Sequence, residues 1–293
     1  MFKLETYKRR NKVQICKNHN ASDTLVPKDV QLMIRPLNLM QNIFCCPKYW
    51  IKDNTIMPIG YLSKLMSLSF TIICIICIIY RLYDRIKIDI VNNQGQISNL
   101  VTRMGSLVST ITGFLVNYWT TVVFTDNNVV LMLKFIAIHK FLNNEIAFRR
   151  FTISNWICVI SFFSFEILFI LYISSSFKLP LHNVVCGMLI ISFDGNIVYA
   201  TLIIKLLKDK VDLWNIKNYQ LGAMDDRERK MYSKKIFDAY VNILDCYEQY
   251  CICFQQHIVF HCIYSFAEIV IYFQIGIQFN IKMLSNVLKM YLF

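Results

Sequence analysis

The chain has 293 residues, of which 56% are apolar and only eight are glycine, and its formal net charge is +12. Apolar runs of about 20 residues recur, and a helix of that length spans a hydrocarbon core of about 30 Å. This composition excludes an ordinary soluble domain and predicts an all-α, polytopic membrane protein. The charge indicates contact with anionic lipid rather than nucleic acid, since basic and aromatic residues do not interleave as they do in nucleic-acid modules.

Two segments precede the first apolar run. Residues 1–29 are polar and basic, which is typical of a disordered tail. Residues 30–58 read as an amphipathic juxtamembrane segment, whose helical apolar face comprises Met33, Leu37, Met40 and Phe44. Pro36 suits the first turn of this helix and Pro47 ends it. We expect the helix to lie on the inner membrane face.

Five membrane spans are predicted, four within residues 59–204 and the fifth near the C-terminus, at 61–80, 104–124, 152–173, 184–204 and 255–276. Lys and Arg distribute unequally between the two sides of these spans, 24 on the side of the N-terminus and seven on the other. Because positive residues accumulate on the cytoplasmic side, the N-terminus is predicted to lie inside.

The segment 205–254 combines a cytoplasmic loop with a helix that leads directly into the fifth span. Its apolar stripe comprises Ile236, Tyr240, Ile243, Tyr247, Cys251 and Phe254. A stripe of this kind outside the membrane has to be covered. Two interpretations stay open: packing against the protein's own loops, or contact between subunits.

Three carboxylates, Glu166, Asp194 and Glu268, fall inside predicted spans. A carboxylate at mid-span costs about 2.5–3.5 kcal/mol, so each should face the bundle interior or water. They either connect helices as polar contacts or form the polar part of a ligand pocket, with aromatic walls from Tyr172, Tyr264 and Tyr272.

Catalytic and metal-binding patterns are weak. His257 and His261 share a helical face, but the repeated His clusters of membrane hydroxylases do not occur, so the pair indicates polar packing. Cys74 and Cys77 lie within one apolar helix and indicate packing as well. No Ser/His/Asp arrangement is visible. We therefore expect no cofactor, no metal and no enzyme. The alternative is a membrane-embedded enzyme or transporter that uses the intramembrane carboxylates and the His pair.

Two stretches carry a family resemblance. RPLNLMQNIFCCPKYWIKDNTIMP, before the first span, resembles the N-terminal signature of insect gustatory receptors, particularly those of moths and butterflies. IFDAYVNILDCYEQYCICFQQ, at residues 236–256, is similar to the cytoplasmic helix before their fifth span. With span order and orientation, the resemblance covers residues 30–276.

The resemblance implies a ligand-gated cation channel of the plasma membrane that detects small-molecule tastants such as sugars or bitter plant compounds. It implies a homo- or heterotetramer with other gustatory receptors, held together by the cytoplasmic ends of the fifth and later helices.

The sequence departs from the family at its C-terminal end. Family members have seven spans, and the seventh lines the pore with Thr-Tyr, five apolar residues and Gln-Phe. Ile271, Tyr272, Gln278 and Phe279 nearly match that signature, but their span runs outward whereas the family's seventh ends inside, which indicates a chance match. We expect residues 277–293 to form a tail at the outer interface. Lacking the pore helix, this C-terminally truncated chain is expected not to conduct by itself.

Overall fold

The protein is described by a computed structural model that covers residues 25–91, 97–222 and 225–292. The described residues are overwhelmingly helical, which confirms the all-α prediction. The helices are α1 (Lys28–Ile43), α2 (Tyr61–Val91), α3 (Ile97–Tyr118), α4 (Thr125–Phe141), α5 (Glu145–Phe177), α6 (Leu181–Leu221) and α7 (Asp226–Leu292). A small antiparallel hairpin, β1 (Trp50–Lys52) and β2 (Thr55–Met57), connects α1 to α2.

The apolar face of the first helix packs into the bundle. Its apolar residues Met33, Leu37 and Met40 are at most 1% exposed and are covered by protein, so the expectation that this face contacts lipid is wrong. The Asn155 side-chain amide of α5 donates to the Met33 carbonyl (3.2 Å). Lipid and neighbouring helices can both bury the apolar face of an amphipathic helix, and here α5 and α6 bury it.

The bounds of α1 also differ from the prediction. Because the helix begins at Lys28, Pro36 lies in its interior and not in its first turn, and the Leu32 carbonyl therefore lacks its usual backbone partner. Ordered structure starts before residue 30 as well. The Val26 amide donates to the Asn54 carbonyl (2.8 Å) at the hairpin turn, which removes residues 25–29 from the predicted disordered tail. Residues 1–24 lie outside the described residues.

Three helices of the described chain are long and apolar enough to cross a membrane, over Tyr61–Asp84 of α2, Phe148–Ser176 of α5 and Leu181–Leu221 of α6. A fourth candidate is the pair α3 and α4, which meet at a 61° bend after the π-helical turn Trp119–Val123. Membrane-spanning character is thereby supported. The count of five spans and the inside position of the N-terminus stay predictions.

Several segments predicted as loops are helical. Residues 125–141 form α4, and 205–221 continue α6. The helix predicted to lead into the fifth span is present as the first part of α7. Helix α7 continues without a break through the predicted fifth span and through the predicted tail to Leu292. The helices α6 and α7 are therefore much longer than the roughly 20 residues that cross the hydrocarbon core of a bilayer.

Helices α6 and α7 lie at the centre of the bundle, whereas α5 is peripheral. Only 6% of the residues in the most apolar stretch of α5 are buried inside the protein, compared with 50% for α6. The larger core cluster joins α1, α4, α5, α6 and α7. A smaller cluster joins α2, α3 and α6. At Gly113 of α3 a Cβ atom would lie 2.8 Å from the Phe193 ring, so glycine permits this close approach of α3 to α6.

Two leucines of α1 test whether this helix is part of the core. Leu37 is 1% exposed and Leu39 is 47% exposed. We expect Leu37→Ala to lower the free energy of unfolding by about 2–5 kcal/mol because it leaves a cavity. Leu39→Ala should change it by less than about 0.5 kcal/mol. Chemical unfolding in detergent micelles measures both. Equal effects would mean that α1 does not dock as described.

Candidate functional site

A partly exposed polar contact joins α6 to α7, with the Asp194 side chain 42% exposed and that of His261 24% exposed. The Asp194 Oδ1 atom lies 2.9 Å from His261 Nε2, and the Ser265 hydroxyl lies 3.3 Å from His261 Nδ1. With Asp194 ionised, Nε2 carries the proton and donates it to the carboxylate, so Nδ1 accepts from the hydroxyl. This Ser–His–Asp chain could not be recognised from the sequence alone, because Asp194 is remote in sequence from the other two residues.

Three of the predicted ligand residues come together around this contact. Glu166 of α5 lies within electrostatic reach of Asp194. Tyr264 of α7 packs edge-on against Phe193 (ring centroids 6.4 Å apart) and stacks on Phe260 (6.0 Å). Carboxylates, an imidazole and aromatic rings from α5, α6 and α7 thus meet at one level of the bundle. We call Glu166, Asp194, His261 and Tyr264 the polar site.

The other three predicted residues lie elsewhere. Tyr172 is 70% exposed on the surface of α5, and its role in a ligand pocket stays a prediction. Glu268 is half-buried on α7, about 10 Å along the helix axis from His261. The side chain of Tyr272 lies outside the described residues.

A buried amide network below the polar site connects three helices. The Gln41 amide of α1 donates to Asn196 Oδ1 of α6 (3.2 Å), and the Asn196 amide donates to the side-chain oxygen of Asn117 on α3. All three side chains are at most 4% exposed. Sequence reasoning missed them because single amides in apolar runs carry no charge and give no periodic signal.

Lys48, in the turn between α1 and β1, is a buried cation. It is 3% exposed, and its ammonium lies 5.5 Å from the ring centroid of Tyr199 and 5.2 Å from that of Phe254. Within the described part of the chain no carboxylate pairs with it. Burial lowers the pKa of Lys48 to about 8, and burial raises the pKa of the nearby Cys46 thiol to about 12. Cys46 is therefore a neutral thiol at physiological pH.

The two histidines of α7 contact different groups. His257 is buried, and its Nε2 lies 3.4 Å from the Phe193 carbonyl, whereas His261 contacts Asp194. They do not converge on one point. Among the described residues no group of three or more His, Cys, Asp or Glu side chains has the geometry of a metal site.

The predicted subunit-contact stripe divides into two parts. Ile236, Ile243 and Phe254 are at most 5% exposed and pack within the chain, and Cys251 is half-buried. Tyr240 and Tyr247 are 39% and 52% exposed, although Tyr240 also packs on Trp214 (5.1 Å). Most of the stripe therefore covers the protein's own α4 and α6. The three buried residues thus pack within the chain, on helices and not on the loops of the first interpretation, and subunit contact stays a prediction.

A neighbouring face of α7 stays open instead. Its exposed apolar side chains are Phe237, Tyr240, Val241, Leu244 and Tyr247, which we call the open face. They recur at spacings of three and four, as the buried stripe does. Periodicity located an apolar helix but did not say which of two adjacent faces the rest of the chain would cover.

The buried ammonium of Lys48 makes stability depend on pH. Its pKa falls on folding from 10.5 to about 8, which corresponds to on the order of 3 kcal/mol. Below about pH 8 Lys48 is protonated in both the folded and the unfolded state, so the full cost of burying its charge lowers the free energy of unfolding. Between about pH 8 and 10.5 the unfolded state binds more protons than the folded state, so the free energy of unfolding rises with pH.

Lys48→Met should therefore stabilise the protein at about pH 7 and flatten the rise of its unfolding free energy toward about pH 10. Lys52→Met, an exposed lysine of the same segment, is the control and should do neither. Unfolding in detergent at both pH values measures the difference. An unchanged pH profile in the Lys48 variant would show that this ammonium is solvated.

Comparison with known proteins identifies no relative: no family model, no curated protein and no solved structure matches the chain.

Proposed function

We propose that the chain is a gustatory receptor subunit, part of a ligand-gated cation channel of the plasma membrane that detects small-molecule tastants. The observation that carries the proposal is that the two segments resembling this family pack against each other. Lys48, in the segment before α2, lies over the ring of Phe254 in α7, 206 positions further along the chain. Two independent sequence signatures that meet in space are better explained by one shared architecture than by two coincidences.

The arrangement of α7 suits a receptor that couples ligand binding to assembly. This helix carries the open face in its first half and His261 of the polar site in its second. Leu244 and His261 are separated by about 25 Å of unbroken helix. A ligand that displaces His261 from Asp194 would act on a rigid element that also contacts neighbouring subunits.

The chemistry of the polar site favours neutral or weakly basic organic ligands. Asp194 and Glu166 supply acceptors, His261 supplies a donor, and Phe193 and Tyr264 supply aromatic surface. A ligand with hydroxyl or amine groups on an apolar frame would replace the internal hydrogen bond and stack on the rings. In the proposed orientation the N-terminus is cytoplasmic, and the polar site lies in the span regions of α6 and α7.

The ligand-binding role is tested in cells that express the chain with related receptors and are screened by calcium imaging. Once an agonist is found, we expect Asp194→Asn and Glu166→Gln each to raise its half-maximal concentration about tenfold, the loss of roughly 1.4 kcal/mol of binding. Asp212→Asn, an exposed carboxylate of the same helix, should leave the response unchanged. Unchanged dose–response curves in both site variants, with normal surface expression, would contradict the role of the polar site.

The assembly role is tested on the open face. Leu244→Glu places a charge on a side chain that is 49% exposed, so it should leave folding intact and disrupt a subunit contact. Lys234→Glu, on an exposed position of the same helix, is the control. Single-molecule photobleaching should show fewer subunits per complex only in the Leu244 variant. An unchanged subunit count there would remove the open face from the assembly.

A membrane-embedded enzyme or transporter is the second candidate, and the hydrogen-bond chain from Ser265 through His261 to Asp194 is the observation that favours it. A serine hydrolase also needs backbone N–H groups that point at a developing oxyanion. Ser265 lies in the interior of α7, where the backbone N–H groups are bonded within the helix. Covalent labelling of Ser265 by a fluorophosphonate would favour the enzyme over the receptor.

A further inference from the structure

A groove between α1 and the start of α5 combines positive charge with exposed apolar surface. It consists of two adjoining cavities of about 750 Å³ and about 730 Å³, which share Lys28, Leu32 and Trp156. We propose that this basic groove binds the phosphate head group of an anionic phospholipid in the leaflet on the side of α1. The proposal does not depend on the receptor function.

Three cations line the groove, with Lys28 at both cavities, Arg149 at one and Arg35 at the other. Lys28 and Arg35 come from α1, and Arg149 comes from the first turns of α5. In the described part of the chain no carboxylate pairs with any of them. The cavity around Arg35 has no acidic lining residue and presents the amides of Asn38 and Asn42, which can hydrogen-bond to phosphate or to head-group hydroxyls.

The carboxylates at the other cavity do not cancel this charge. Asp29 Oδ2 lies 2.9 Å from His139 Nε2, and His139 Nδ1 lies 2.9 Å from the buried Lys210 ammonium. The second Asp29 oxygen accepts from the Val30 amide (2.9 Å). Burial alone would raise the pKa of Asp29, but its hydrogen bonds from His139 and the Val30 amide outweigh that effect and lower it. Asp29 is therefore charged and is connected through His139 to the buried Lys210 ammonium, and three cations line the groove against two carboxylates, Asp29 and Glu145.

The position of the groove selects a lipid over a soluble phosphate. The candidate membrane span of α5 starts at Phe148, so in a bilayer crossed by α5 we expect Lys28 and Arg149 to lie where head groups meet the hydrocarbon core. Leu32 and Ile153 are 55% and 53% exposed at the lining, beside Trp156, a residue type that favours the membrane interface. Acyl chains can lie along these side chains while the phosphate contacts the cations.

The full chain is purified, returned to nanodiscs of phosphatidylcholine with or without phosphatidylserine, and analysed by native mass spectrometry for retained lipid. Removing one arginine that contacts the head group should weaken phosphatidylserine binding about fivefold. We therefore expect this loss for Arg35→Gln and Arg149→Gln and none for Arg150→Gln, an exposed neighbour that does not line the groove. Arg35→Lys and Arg149→Lys keep the charge and should retain most of the binding.

Melting temperatures of the variants in phosphatidylcholine alone show whether folding is intact. Lipid binding that is retained in the Arg→Lys variants shows that the positive charge, and not the packing of the arginine side chain, accounts for the binding. Equal losses for all three arginines would mean diffuse surface attraction and would overturn the proposal. Equal retention of phosphatidylserine and phosphatidylcholine would overturn it too. Binding of glycerol phosphate in detergent as tightly as the lipid would make this a site for free phosphate and would also refute the lipid assignment.

Discussion

The contact between the turn after α1 and the centre of the bundle is the interaction on which the rest of the structure depends. The Lys48 ammonium lies between the rings of Tyr199 on α6 and Phe254 on α7, and its carbonyl accepts from the Thr125 hydroxyl at the start of α4 (3.2 Å). One residue thus connects four parts of the chain. Desolvation of its charge opposes folding. Burial of the apolar side chains of α1, among them the fully buried Met33 and Ile34, stabilises the fold and offsets that cost.

This anchoring determines which surfaces are left for other molecules. Because α1 packs against α5 and α6, its cationic side and the first turns of α5 form a groove. Because α4 and α6 cover one face of α7, the adjacent face from Phe237 to Tyr247 stays exposed. The same helix then enters the apolar part of the bundle and brings His261 to Asp194. The proposed lipid contact, the proposed subunit contact and the polar site all depend on how α1 and α7 pack.

The sequence predicted those features that composition and depth determine. Apolar length located α2, α5 and α6, and the depth of Glu166 and Asp194 placed them at one level. The sequence did not predict what buries an apolar helix face, since either lipid or a neighbouring helix could bury the apolar face of α1. Lys48 was missed for a related reason: a single lysine in a polar-looking turn gives no signal of burial, which arises only when α6 and α7 close over it.

The start of α1, the end of α4 and the second half of α6 lie at one end of the bundle, since Lys210 of α6 donates to the Leu142 carbonyl just after α4 (2.6 Å) and His139 contacts Asp29 (2.9 Å). In a bilayer that the bundle spans, we therefore expect the start of α1, the α4–α5 junction and the α6–α7 junction on one side. Glycosylation acceptor sites inserted at each junction test this most directly. The account predicts glycans at the α2–α3 and α5–α6 junctions, and none at the α4–α5 and α6–α7 junctions or at residue 1. A glycan at the α6–α7 junction or at residue 1 would contradict it.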